Sequence, residues 1–253
     1  MKSNNTYIYI LSLLLAGELF TTSCSDLLTE DPNSYYEKKE IFASEEKAAM
    51  AVTGVYDKLP TLYGYMDMAF PCSDDTYYMS GQTTDKGRRD IAHYKLNSSN
   101  TWVNSVWQGN YTGIERANYT IEGIEGMENY EGDEDLQTLV AEAKYLRALY
   151  AFNLVRYWGD VPFKTTSTNV NKDIYQPRVS RELIYNQIID DLNFAKNHLP
   201  WATAATSPEK ATQGAARGLL MRVLLQRAGY SLQMDGSITR PDDVKRKEYF
   251  EAV

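Results

Sequence analysis

Three Asp-Asp pairs, Asp74-Asp75, Asp190-Asp191 and Asp242-Asp243, are the first places in this chain to look for chemistry. Glycoside hydrolysis needs two carboxyl groups facing each other across a sugar, one kept protonated by its surroundings. Adjacent acids do not supply that geometry, because neighbours on a helix point apart. Asp190-Asp191 falls mid-helix and reads as a solvated face, and Asp242-Asp243 follows Pro241 and reads as a helix start. Only Asp74-Asp75 lies in an irregular, aromatic stretch. The two histidines, His93 and His198, stand apart from any cysteine or second histidine at ligand spacing, so no metal is expected. There is no G-x-S-x-G elbow, phosphate-binding loop or dinucleotide fingerprint, so no cofactor is expected either. The balance is against an enzyme.

Binding has positive support in one segment, CSDDTYYMSGQTTDKGRRDIAHYKLNSSNTW, from Cys72 to Trp102. Sugar recognition needs flat aromatic faces against the apolar faces of the ring, and planar polar groups that pair with hydroxyls. Tyr77, Tyr78 and Tyr94 offer the faces. Asp74, Asp75, Arg88, Arg89 and Asn97 offer the hydrogen bonds, with arginine presenting a fixed fork of donors. Each has a plainer alternative. One ring of Tyr77-Tyr78 can pack inward, and Arg88-Arg89 can be solvated or paired with Asp85 or Asp90. Trp102, Trp107 and Trp158 sit on helical patterns, where core packing is the default.

Composition bounds the partners. The 253 residues carry a net charge of −8 and a sequence pI near 4.9, which argues against nucleic acid. Tyrosine is abundant, at 20 residues against 7 phenylalanines, and its apolar ring with a polar tip suits wet binding surfaces.

The frame that must position these groups is helical. From Leu136 to Phe163, LQTLVAEAKYLRALYAFNLVRYWGDVPF, apolar residues recur at Leu136, Leu139, Val140, Ala143, Leu146, Tyr150, Leu154 and Tyr157. That three-and-four spacing is α-helical. A second row at Tyr145, Leu149, Phe152 and Val155 makes most of the circumference apolar, so this helix belongs inside a bundle. Other helices are expected from Ser44 to Leu59, Thr101 to Gly123, Ser180 to about His198, Thr212 to Gly229, and from about Pro241 onward. Leu62 to Asn100 shows no sustained helical period, and such a long irregular stretch is often functional. Helices of about 20 residues joined by short turns are the pattern of stacked helix pairs. The expected fold is all-α, a tetratricopeptide-like scaffold with long surface loops.

Several stretches resemble one family. LRALYAFNLVRYWGDVPF is similar to the signature helix of SusD/RagB proteins, the outer-membrane nutrient-binding lipoproteins of Gram-negative bacteria. Trp107, Tyr111, Ile114, Ala117 and Asn118 match its W-x3-Y pattern, and IYNQIIDDLNFAKNHLP and KATQGAARGLLMRVLLQRAG are further matches. With the N-terminal features, these cover about half the chain. The resemblance implies a cell-surface protein that captures a glycan or oligosaccharide for polysaccharide utilisation and passes it to a SusC-like TonB-dependent transporter. It also implies ligand contacts from the loop that holds Asp74 to Tyr94. Two rivals stand beside it, a helical-repeat scaffold that binds proteins and a lipid-anchored glycoside hydrolase.

The N-terminus fits the same picture. Lys2 precedes an apolar run, Tyr7 to Gly17, too short to span a bilayer. Thr21-Thr22-Ser23-Cys24 resembles a bacterial lipoprotein cleavage site, with Cys24 as the acylated first residue. The alternative is a plain secretory signal. A lipidated Cys24 leaves Cys72 without a disulfide partner. The expected organisation is a signal peptide over 1–23, a tether over 24–40 and an α-helical domain over 41–253. That domain ends in mid-pattern, so it is expected to be incomplete at its C-terminus.

Overall fold

A computed structural model describes residues 38–62, 86–204 and 206–252, all within one structural unit, Lys38–Val253. Cys24, Cys72, Asp74, Asp75, Tyr77 and Tyr78 lie outside the described residues. The fold is all-α, as expected. Its helices are α1 Lys38–Ile41, α2 Glu45–Tyr56, α3 Lys86–Ala92, α4 Thr101–Glu125, α5 Glu134–Trp158, α6 Arg181–His198, α7 Gln213–Ala228 and α8 Asp243–Glu251. A 3-10 turn, Leu59–Leu62, follows α2. Among the described residues the strands form two small antiparallel pairs: β1 Val161–Pro162 with β2 Arg178–Val179, and β3 Ser231–Leu232 with β4 Ile238–Thr239.

Short polar side chains start the helices by accepting hydrogen bonds from otherwise unsatisfied backbone N–H groups. Ser44 accepts from Lys47 N, Asp133 from Asp135 and Leu136 N, Thr212 from Ala215 N, and Asp242 from Lys245 N. Gly159 ends α5 with φ +67°, a left-handed conformation that favours glycine. The sequence offered no sign of α3. At seven residues it is too short to show a period, and Ile91, 1% exposed, anchors it.

Each long helix packs antiparallel on its sequence neighbour, α4 on α5, α5 on α6 and α6 on α7, in the tetratricopeptide-like manner expected. Helix α5 is the hub, with Val140, Leu146, Tyr150 and Leu154 fully buried. The Tyr150 hydroxyl donates to Val55 O at 2.8 Å, tying α2 to the hub, and burial pushes its phenol well above the ordinary tyrosine range.

Glycines set how closely the helices approach. A Cβ on Gly113 of α4 would lie 2.6 Å from the ring of Tyr150, which has no room to move. Gly218 on the outer side of α7 has nothing within 4 Å. Gly113→Ala is therefore expected to destabilise by about 1–3 kcal/mol through overpacking, partly offset by better helix propensity. Gly218→Ala is expected to stabilise by about 0.5–1 kcal/mol. Thermal melts of the two variants check this, and equal shifts would contradict the close packing.

One sequence reading is corrected here. Asp190 is exposed, but Asp191 is 3% exposed and is not part of a solvated face. It receives a two-pronged ion pair from Arg147 of α5, Nε to Oδ2 at 2.8 Å and Nη2 to Oδ1 at 2.7 Å. Arg147 Nη1 also donates to Asn118 Oδ1 at 2.8 Å and Thr165 O at 3.3 Å. Asn118 in turn donates to Lys164 O and Thr166 O. Three helices and the crossing segment after α5 are thus pinned together by one buried polar network.

Candidate functional site

Antiparallel packing gathers four helix ends at one end of the bundle: the start of α4, the end of α5, the start of α6 and the end of α7. Three contacts show it. The Trp107 and Trp158 rings meet edge to face at 5.2 Å, Arg181 Nε donates to Asp160 Oδ1 at 2.9 Å, and Arg227 Nη2 donates to Glu182 Oε2 at 2.8 Å. Trp107, Tyr111 and Trp158 are half-buried and pack on the core, which fits the structural reading of those tryptophans. The Tyr111 hydroxyl donates to Pro162 O at 2.6 Å, and burial pushes its phenol up.

The segment predicted to bind ligand is tied to this same end. The described residues on its two sides, Leu59–Leu62 and α3, both pack against α4. Asn100 makes the second joint. Its Oδ1 caps α4 by accepting from Trp102 and Val103 N, while its Nδ2 donates to Gly87 O of α3 at 3.0 Å.

Of the predicted residues, Arg88, Arg89 and Tyr94 are described. Arg88 and Arg89 do not act as a pair, because consecutive side chains diverge on a helix. The Arg88 guanidinium lies over the Trp102 ring, 4.0 Å from its centroid, in cation–π geometry. Arg89 is half-buried and makes no ion pair among the described residues, so pairing with Asp90 is not observed. Asn97 is exposed, and its Oδ1 accepts from Ser99 N to shape the turn before α4.

What sequence reasoning missed at Tyr94 is its backbone. It ends α3 with φ +56°, where a bulky residue is strained and glycine is preferred. The turn is closed by Lys95 N donating to Asp90 O at 2.8 Å, beside Tyr94 N to Ile91 O. In that conformation the ring is 77% exposed. The sequence gives Tyr94 as an aromatic in a polar loop, and nothing local reveals its backbone. Trp102 was grouped with the core tryptophans, yet it is the platform on which Arg88 rests.

A flat indole carrying a planar guanidinium, with an exposed phenol at the end of the same short helix α3 that bears the arginine, suits a ligand with alternating apolar faces and hydroxyl groups. Among the described residues, no group of three or more His, Cys, Asp or Glu side chains is placed to hold a metal ion.

Comparison with known proteins agrees with this frame. The family described as "Starch-binding associating with outer membrane", SusD-like, matches residues 26–225. SusD-like protein P25 of Formosa agariphila is 26% identical over 225 residues, 83% of this chain and 40% of its own length. A SusD-like protein of Bacteroides ovatus is 25% identical, over 91% of this chain and 40% of its own. The chain thus spans about 40% of the length of these curated relatives. Among solved structures, a SusD homolog from Bacteroides thetaiotaomicron superposes with a TM-score of 0.67 at 28% identity, over 85% of this chain and 40% of that one. A laminarin-binding SusD-like protein superposes at 0.66 with 26% identity, over 72% of this chain and 40% of that one. With most of its length matched by the family and the same helical frame, the chain belongs to the SusD-like family.

Proposed function

We propose that this chain is the glycan-capturing part of a non-enzymatic lipoprotein on the outer-membrane surface. In this reading residues 1–23 direct export, Cys24 carries the acyl chains, and 24–40 tether the domain of 41–253. Each buried methylene of the acyl chains adds roughly 0.8 kcal/mol of anchoring. The captured glycan passes to a SusC-like TonB-dependent transporter, with the domain closing as a lid over the barrel mouth. Among the described residues no helix is long and apolar enough to cross a membrane, and a lipid anchor needs none. Asp74, Asp75, Tyr77 and Tyr78 join Arg88, Arg89 and Tyr94 in contacting the ligand.

The observation that carries this reading is Tyr94. An aromatic held in a strained, left-handed turn and presented to solvent costs stability and buries little of its surface. Such strain points to use elsewhere. Tyr94→Gly is accordingly expected to raise stability by about 1 kcal/mol while weakening the binding of laminarin, the probe suggested by the laminarin-binding relative. Thermal melting and calorimetric titration on the same samples check both signs. A variant that gains stability and keeps full affinity would remove Tyr94 from the site.

A further inference from the structure

At the same end of the bundle, a second concavity lies between the end of α5, the start of α6, the end of α7, the β3–β4 hairpin and α8. It has two adjoining lobes, of about 300 Å³ and about 280 Å³, which share Arg181, Tyr185, Gln226, Ser231 and Gln233. Together they reach the size of ordinary small-ligand sites. Tyr185, 5% exposed, forms its floor. Arg181 is fixed there by Asp160, whose Oδ1 accepts from both its Nε and its backbone N. The turn at Gly159 is shaped around this arginine: a Cβ on Gly159 would lie 2.8 Å from Arg181 Nη2.

The charge of the lining is opposite to that of the protein. Arg156, Arg181, Arg227, Arg240 and Lys245 outnumber Asp160, Glu182 and Asp242, in a chain of net charge −8. All three carboxylates are engaged within the protein. Asp160 holds Arg181, Glu182 Oε2 accepts from Arg227 at 2.8 and 3.0 Å, and Asp242 caps α8 through Lys245 N. Two cations are less committed. Lys245 is exposed and makes no ion pair among the described residues, and Arg240 has only a 3.5 Å contact with the exposed Asp243. Arg240 also lies 5.4 Å from the ring centroid of Tyr230, which is 63% exposed. A concave site with surplus positive charge concentrates anions. An aromatic beside it adds a face for a sugar ring.

We propose that this cleft binds an acidic saccharide, one whose sugar units carry carboxylate or sulfate groups. Arg240 and Lys245 take the anionic group, Tyr230 stacks on the ring, and Gln226 pairs with hydroxyls. The proposal rests on the reading of the chain as a glycan-binding protein, but the cleft is distinct from the Arg88–Trp102 surface, so the two sites fail separately.

Calorimetric titration with trigalacturonate, and with neutral maltotriose as control, tests it at low salt and at tenfold higher salt. Trigalacturonate should bind more tightly than maltotriose and should weaken with salt. Replacing both cations, Arg240→Gln with Lys245→Gln, should lower trigalacturonate affinity at least tenfold and leave laminarin binding unchanged. Tyr230→Ala should weaken trigalacturonate but not inorganic sulfate. Full affinity in the double variant, equal binding of maltotriose, or equal loss of sulfate and trigalacturonate on Tyr230→Ala would each overturn the proposal. Binding of trigalacturonate that disappears only with Trp102→Ala would place it at the other site and overturn it too. Laminarin binding with no trigalacturonate binding sinks the cleft alone, whereas failure of every glycan sinks both readings.

Discussion

Asp191→Ala is expected to cost about 3–5 kcal/mol, a large share of the stability of a domain this size. The cost comes from what is left behind more than from the bond removed. Arg147 is 4% exposed, and without Asp191 its guanidinium would remain buried with its charge uncompensated. Asn118 and Thr165 O would still accept from its Nη1, but neither is anionic. Asp191→Asn keeps the shape and loses the charge, so it should fall between wild type and alanine. Replacing both partners with apolar residues of similar volume, Arg147→Met with Asp191→Leu, should recover much of the loss. Chemical denaturation of the three variants measures this. An Asp191→Ala protein within 1 kcal/mol of wild type would show that the network is not buried as described.

The second large effect is on binding. Under the proposed function, Trp102→Ala is expected to weaken binding of the laminarin probe by roughly 2 kcal/mol, or about thirtyfold, because it removes an aromatic platform and the seat of Arg88 together. Stability should change less, since Trp102 is only half-buried and lies one residue inside the start of α4. Arg88→Lys separates the two contributions. It keeps the charge but not the planar fork, so a loss there assigns part of the effect to the guanidinium itself. Trp107 makes the contrast, because it packs on the core and should move stability rather than affinity.

How much of this was legible in the residues depends on range. Ser44, Thr212 and Asp242 announce their helix starts through local hydrogen bonds, and each stands where the sequence placed it. Asp191 was misread because its partner is 44 residues away, and a solvated face and a buried ion pair look alike along one helix. Gly113 carried no readable message either, since a glycine in a helix signals weakness until Tyr150 is seen against it. The sequence proposes the candidate site only as a segment, from Cys72 to Trp102, by its aromatics and arginines. Its internal division was not visible: Arg88 lies over Trp102, and Tyr94 is held out by an unusual φ. The cleft beside Tyr230 was missed altogether, because its lining comes from five separate elements and no one of them carries a motif.

The central claim is that an inert helical frame delivers its ligand contacts at the end of the bundle where α4 begins. The tryptophans allow a direct test, since Trp102, Trp107 and Trp158 lie at that end, while Trp201 sits 60% exposed beside the start of α7 at the other. Indole N–H resonances followed by NMR during titration with laminarin report on all four at once. The account predicts that the Trp102 signal shifts strongly and saturates while that of Trp201 stays in place. A titration that moves Trp201 and leaves Trp102 untouched would contradict it.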